Sequence, residues 1–160
     1  MEPPSPHAIR ILDPIESGLP HRRIVEAASL ALLGEEPGDV EILLTNDDEI
    51  QSLNRTSRGI DEPTDVLTFP APRFPGAPLG ELVISVEFAG RQADIRGFSL
   101  VDEVCYLTIH GALHLRGMDD VTDADRRAMF AEMHRLGIEL GLPEEAQWTS
   151  VALEPEAAKR

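Results

Sequence analysis

The apolar positions change their period several times along the chain, and each change marks an element. AIRIL (8–12) alternates as a strand does. From about Leu19 to Leu33, Ile24, Ala27, Ala28, Ala31 and Leu32 recur at the spacing of one helix face, with Gly34 as the stop. DVEILLT (39–45) predicts a strand, and Asn46 with Glu49 three residues on has the capping-box spacing that opens a helix over 46–57. TDVLTFP (64–70) predicts a short strand ended by Pro70. APRFPGAPLG (71–80), with three prolines and two glycines, suits neither helix nor ladder and is read as a loop. ELVISVEFA (81–89) begins as a strand, with Leu82, Ile84 and Val86 on one face and Val83 on the other, and passes into a helix from about Val86 to Arg96. Ser99 and Asp102 cap the next helix, LVDEVCYLTIHGALHL (100–115), which ends near Gly117; Thr122 and Asp125 cap a final helix over 122–140.

The order is strand, helix, strand, helix, two strands, then helices. It predicts an α+β fold: a small mixed sheet of about four strands covered by helices. Strand order does not follow from the pattern. The length suits a single domain over 1–160 with a core over about 8–142, and with MEPPSP and EPEAAKR as loose ends.

Composition narrows the function. Hydrophobic residues make up 42% of the chain, enough for a packed core. No apolar run approaches the roughly 18 residues of a membrane helix, and the start lacks the basic-then-apolar order of a signal peptide. Cys105 is the single cysteine, so no internal disulfide framework exists, and a cytoplasmic location is expected. The net charge of −15 argues against a sequence-independent nucleic-acid coat, while leaving room for a local cationic groove. Lys159 is the single lysine, so such a groove would be built of arginine, the residue suited to bidentate phosphate contacts.

The stretch HGALHLRGMDD (110–120) carries the candidate chemistry. His110 and His114, four residues apart on a helix, face one side with Cβ atoms roughly 6 Å apart, so both can turn a ring nitrogen to one ion. Gly117 lets the chain reverse, and Asp120 three residues later can approach the same point. Three ligands with an open position is the form of a catalytic zinc site. The plainer alternative makes Asp119 and Asp120 turn residues ahead of Thr122. Zinc proteases of similar spacing place Glu directly after the first His as general base; here that position is Gly111.

HGALHLRGMDD resembles the His-Gly-x-Leu-His-Leu-x-Gly-x-Asp-His signature of the YbeY family, bacterial rRNA-maturation endoribonucleases. NDDEIQSLNRTSRGIDEPTDVLTFP (46–70), LGELVISVEFAGRQA (79–93) and SLVDEVCYLTIHG (99–111) are similar to the family's other segments, in order, over roughly residues 8–142. The resemblance implies a zinc-dependent, single-strand-specific endoribonuclease that processes the 3′ end of 16S rRNA and serves ribosome quality control. In it, one divalent ion activates water, RNA is the substrate, and a ribosomal protein is a partner. His110 and His114 map onto the first two ligands. Asp120 stands where the family usually has a third His; a carboxylate is an acceptable zinc ligand but adds negative charge and shifts preference toward harder ions such as manganese. Arg58 maps onto the arginine that the family keeps in its cleft, with a role on the scissile phosphate; Arg55 is a second substrate contact. Arg73, Arg91, Arg96 and Arg116 are further RNA-contact candidates, and Glu103 or Asp119 can assist as base.

Other features have plainer readings. His134 is expected to be a helix-surface or part-buried residue, and Cys105 a core residue without an activating cation nearby. Trp148, Tyr106 and the phenylalanines are too few for base-stacking platforms. Two rivals stand beside the ribonuclease reading: a metal hydrolase acting on a small or peptide-like substrate, and a non-catalytic ribosome-associated module in which Asp120 marks a weakened site.

Overall fold

The computed structural model describes residues 7–35, 38–144 and 148. Its elements run β1 (Ile9–Leu12), α1 (His21–Ala31), β2 (Val40–Thr45), α2 (Asp47–Arg58), β3 (Val66–Pro70), β4 (Gly80–Ser85), α3 (Val86–Arg96), α4 (Leu100–Leu115) and α5 (Asp123–Leu140). The fold is α+β, as the hydrophobic pattern predicts. The expected loose ends, MEPPSP and EPEAAKR, lie outside the described residues.

The sheet order is β1-β2-β4-β3. β1, β2 and β4 are parallel, and β3 closes one edge antiparallel to β4, with Leu67 opposite Val83 and Phe69 opposite Glu81. Helix α1 supplies the crossover from β1 to β2, because parallel neighbours cannot be joined by a tight turn.

Both faces of the sheet are covered, so the strands read as nearly continuous apolar runs. Ile42, Leu44, Leu82 and Ile84 face a large core shared with α1, α4 and α5. Val83 and Leu67 face the other way and meet Ile50 of α2. Helix α4 is buried almost all round, with Val104, Leu107, Ile109 and Leu113 inaccessible. That places its C-terminal turn, which carries the histidines, against the sheet.

The three expected caps are present. Asn46 accepts from the Glu49 N–H (3.0 Å), Ser99 from the Asp102 N–H (3.1 Å) and Thr122 from the Asp125 N–H (3.1 Å). Each satisfies one of the helix's orphan donors. Two details differ from the sequence pattern. Val86 opens α3 rather than continuing the face of Leu82 and Ile84, because Ser85 caps that helix through the Phe88 N–H (3.2 Å). Helix α1 closes at Ala31, ahead of Gly34, which takes up a left-handed conformation in the turn beyond (φ 84°).

Candidate metal centre

Helix α4 brings His110 and His114 onto one face. The helix is stopped by two reversed hydrogen bonds: Gly117 N–H to the His114 carbonyl (2.9 Å) and Met118 N–H to the Leu113 carbonyl (3.1 Å). Gly117 carries the positive φ (94°) that this reversal needs. The chain then folds back, and Asp120 arrives beside the histidines.

The Nε2 atoms of His110 and His114 stand 3.1 Å apart, and the Asp120 Oδ2 lies 3.8 Å from the His114 Nε2. One ligand atom from each of the three residues lies within 4.8 Å of the others. A tetrahedral ion with bonds of about 2.0–2.1 Å sets its ligands about 3.3 Å apart; the two imidazoles already stand near that spacing, and the Asp120 carboxylate lies close enough to close on the same ion with a small side-chain shift. The tautomers fit as well. The Nδ1–H of His114 donates to the Met118 carbonyl (3.0 Å), which leaves the Nε2 lone pair free and fixes the ring. His110 is buried, and burial together with the neighbouring His114 pushes its pKa down to about 3. It is therefore neutral, the form that binds metals. The structure brings His110, His114 and Asp120 together, as the spacing predicts, in a group that could hold a metal ion.

Arg126, which the sequence pattern did not single out, secures the returning loop. Its guanidinium donates to the carbonyls of Asp120 (3.1 Å) and Val121 (3.0 Å).

Gly111 explains the missing protease base. A Cβ there would stand 2.7 Å from Leu82 Cδ2, so the residue after the first histidine faces the sheet and has no room for a carboxylate.

The triad opens into a cavity of about 570 Å³ lined also by Ser57, Arg58, Thr68, Met118 and Asp119. Arg58 ends α2, which approaches from the opposite face of the sheet. Its side chain is exposed, and it is the one arginine among the described residues lining the cavity. Arg55 lies one turn earlier on α2, exposed, and does not line the cavity.

Of the two expected assistants, Asp119 lines the cavity. Glu103 does not. It is inaccessible, 3.1 Å from Arg96, and accepts from the Trp148 indole N–H (3.1 Å). Burial pushes its carboxyl up to about 7, against the opposing pull of Arg96 and the indole bond.

Four of the arginines expected at RNA are engaged elsewhere. Arg91 pairs with Asp47 (2.9 Å) and Arg96 with Glu103. Arg116 bonds to Glu132 (3.0 Å) and the Ala31 carbonyl (3.2 Å). Arg73 donates to the Leu115 carbonyl (2.7 Å) and so closes the end of α4.

Cys105 is buried, its thiol facing the Arg23 carbonyl (3.8 Å) and pushed up to about 12 by burial. His134 is half-buried, 3.6 Å from Glu144. Trp148 is buried within the core instead of forming a surface for bases; it stacks on Tyr106 (5.9 Å between centroids) and tilts against His110 (5.4 Å).

The family model described as Endoribonuclease YbeY matches residues 20–141. The chain belongs to the YbeY family. An Endoribonuclease YbeY of Brevibacillus brevis is 37% identical over 82% of this chain and 92% of its own length. One from Rhodopseudomonas palustris is 37% identical over 76% of this chain and 69% of that protein. One from Nautilia profundicola is 48% identical over 53% of this chain and 61% of that protein. The solution structure of TM1509 from Thermotoga maritima is 29% identical, with a TM-score of 0.60 over 82% of this chain and 88% of that one. No helix among the described residues is long and apolar enough to cross a membrane. In this YbeY family member the motif residues His110, His114 and Asp120 meet at one point, and Arg58 reaches the same cavity from another layer of the fold.

Proposed function

We propose that the protein is a metal-dependent, single-strand-specific endoribonuclease that matures the 3′ end of 16S rRNA in the cytoplasm. Its relatives are named endoribonucleases. The observation that carries the reading is the shared cavity: two imidazole nitrogens and a carboxylate within 4.8 Å of one another, with a free guanidinium on the same wall.

His110, His114 and Asp120 would hold one zinc or similar ion. Such an ion supplies Lewis acidity to a phosphodiester and lowers the pKa of water toward about 7. The protein's own groups do the rest. Arg58 forks onto the non-bridging phosphate oxygens and offsets the charge that builds on them as a water oxygen adds to phosphorus. Asp119 would take the water's proton, the bridging P–O bond would break, and the leaving oxygen, opposite the attacking water, would take a proton from solvent. Asp120 in place of a third imidazole reduces the positive charge of the centre, which weakens the Lewis acid and favours harder ions such as manganese.

The net charge of −15 confines attraction for RNA to the surroundings of Arg58, which lines the cavity, with the exposed Arg55 one turn earlier on α2 as a second contact. Productive binding then draws on a ribosomal protein partner as well as on the RNA. The chemistry of a peptide-like substrate is disfavoured because the position after the first histidine is Gly111, packed on Leu82, and supplies no carboxylate. A non-catalytic ribosome-associated role is disfavoured by the close set of donors.

The test pairs metal analysis with cleavage of an unstructured rRNA fragment and a peptide panel. One ion per chain and RNA cleavage are expected, both abolished in His114→Ala. Unchanged RNA cleavage in that variant, or cleavage of peptides alone, overturns the reading.

A further inference from the structure

Among the described residues no hydrogen bond or ion pair holds the guanidinium of Arg58, the cavity's arginine. Where it can reach is therefore set by the backbone that carries it. That backbone is the last turn of α2 and the loop 59–65, which leads into β3, another wall of the same cavity. The helix ends on Gly59 in a left-handed conformation (φ 73°). The Gly59 N–H donates to the Arg55 carbonyl (3.0 Å) and the Ile60 N–H to the Asn54 carbonyl (3.4 Å).

Beyond Gly59 the loop is tied back to the helix by two side-chain amides. Gln51 donates to the Asp61 carbonyl (3.3 Å) and carboxylate (3.1 Å) at the exposed surface. Asn54 donates from Nδ2 to the Glu62 carbonyl (2.9 Å), and this tie is buried, with Asn54 2% exposed. The far end of the loop is held separately: the Asp65 carboxylate accepts from the Val66 N–H (2.7 Å) and from the Gln92 amide (3.1 Å).

An amide is a costly choice at position 54. Ile50, Asn54 and Arg58 follow one another at the four-residue spacing of one helix side. Ile50 packs against Leu67 and Val83, and Asn54 is buried one turn later. The Asn54 Oδ1 is buried without a hydrogen-bond partner among the described residues. An orphaned acceptor costs at least as much as one net hydrogen bond returns. For stability alone, a leucine would serve as well. What the amide supplies is a fixed place for the Glu62 carbonyl, and so for the chain that leaves Arg58.

We infer that Asn54 is a positioning residue for Arg58. Through its backbone carbonyl and its side chain it locks the end of α2 to the α2–β3 loop, so that the guanidinium meets the phosphate at the metal centre in one geometry. This deepens the ribonuclease reading and rests on it. Asn54 is not part of the cavity wall and acts only through Arg58. A bidentate fork must make both bonds at once, so a displacement of about 1 Å at its base removes much of its effect.

The test uses the intact, metal-loaded protein and a fluorescein-labelled, unstructured oligoribonucleotide. Asn54→Leu fills the position and removes the donor. It should lower kcat/KM about tenfold, with metal content and urea midpoint unchanged. In an Arg58→Ala background the same substitution should have no further effect, because the group it positions is gone. Trypsin cleavage after Arg58, which requires the helix end to open, should run about fivefold faster in Asn54→Leu, the size of one net hydrogen bond. A general structural weakening would lower the urea midpoint and reduce RNA cleavage by the same factor with or without Arg58; either result overturns the inference. Native kcat/KM in a folded Asn54→Leu protein overturns it too, as does an unaltered tryptic rate. Loss of metal would assign Asn54 to the metal centre instead, which also overturns it. If Asn54→Leu does not fold, Asn54→Ala is taken through the same pair of backgrounds, and equal losses in both overturn the inference. All of these outcomes leave the ribonuclease reading standing; a native protein that cleaves no RNA sinks that reading and this inference with it.

Discussion

The indole ring of Trp148 lies against the imidazole of His110, with centroids 5.4 Å apart. The indole N–H is bonded to Glu103 and the same ring stands 5.0 Å from the Arg96 guanidinium, so three groups set its position. A buried metal ligand is only as well placed as its neighbours. Trp148→Ala should destabilise the protein by about 3–5 kcal/mol and weaken zinc binding. Trp148→Phe keeps an aromatic wall and should retain most zinc affinity while losing stability, because Glu103 loses the indole N–H and keeps only Arg96. Competitive zinc titration beside urea unfolding separates the two effects. Equal zinc affinity in all three proteins would show that the ring does not position His110.

Arg58 is the cavity's arginine and takes no part in the donor set. Arg58→Ala should keep the metal and lower kcat/KM for RNA by about a hundredfold, the scale of losing one charge-stabilising donor. Arg58→Lys restores charge without the planar fork and should recover only part of the loss. Metal content measured beside single-turnover cleavage tests this; a full recovery with Lys would show that charge alone suffices.

Asp120 makes the centre less positive than three imidazoles would. Asp120→Ala should cost more than the roughly 10–100-fold in affinity that loss of an outer-shell partner costs. Asp120→His should retain one equivalent of zinc and discriminate more strongly against manganese. Equal zinc occupancy and affinity in the native protein and both variants would show that Asp120 does not ligate.

Arg126 grips the carbonyls of Asp120 and Val121. Arg126→Ala should loosen the returning loop and weaken zinc binding about tenfold. Global stability should change by less than about 1 kcal/mol, since these are partly exposed contacts. A zinc titration of this variant indistinguishable from the native protein would remove Arg126 from the centre.

Two buried groups pull the stability of the metal-free protein in opposite directions with pH. Glu103 is raised from 4.5 to about 7 by burial, so its contribution is full below 4.5 and is lost as pH rises through 7. His110 is lowered from 6.5 to about 3, so its contribution is full above 6.5 and is lost as pH falls toward 3. Between 4.5 and 6.5 they offset each other. Glu103→Gln should expose the histidine's contribution: stability should rise with pH across that window more steeply than in the native protein. Urea midpoints with chelator present measure the slopes, and identical slopes would show that Glu103 titrates normally.

The local features were legible because their causes are local. The spacing of Asn46 and Glu49, Ser99 and Asp102, and Thr122 and Asp125 marks helix starts wherever the helices end up. The histidines are neighbours on one helix, and Gly117 turns the chain back within three residues of Asp120, so this triad is also a short-range object. The arginines were less legible. Arg91, Arg96 and Arg116 look alike in sequence, yet each is bound to an acidic group brought to it by another element.

What the sequence by itself determined is therefore the set of elements, the identity of the family and the three candidate ligands, since each depends on spacing along one or two segments. Tertiary structure decided the rest. It chose Asp119 over Glu103 for the cavity by burying Glu103 between Arg96 and Trp148. It carried Arg58 across the sheet to the centre and set Trp148 behind His110. It left the outer edge of β3 open along the cavity. The physical reason is that packing and desolvation act between segments distant in sequence, where no local periodicity records which surfaces will meet.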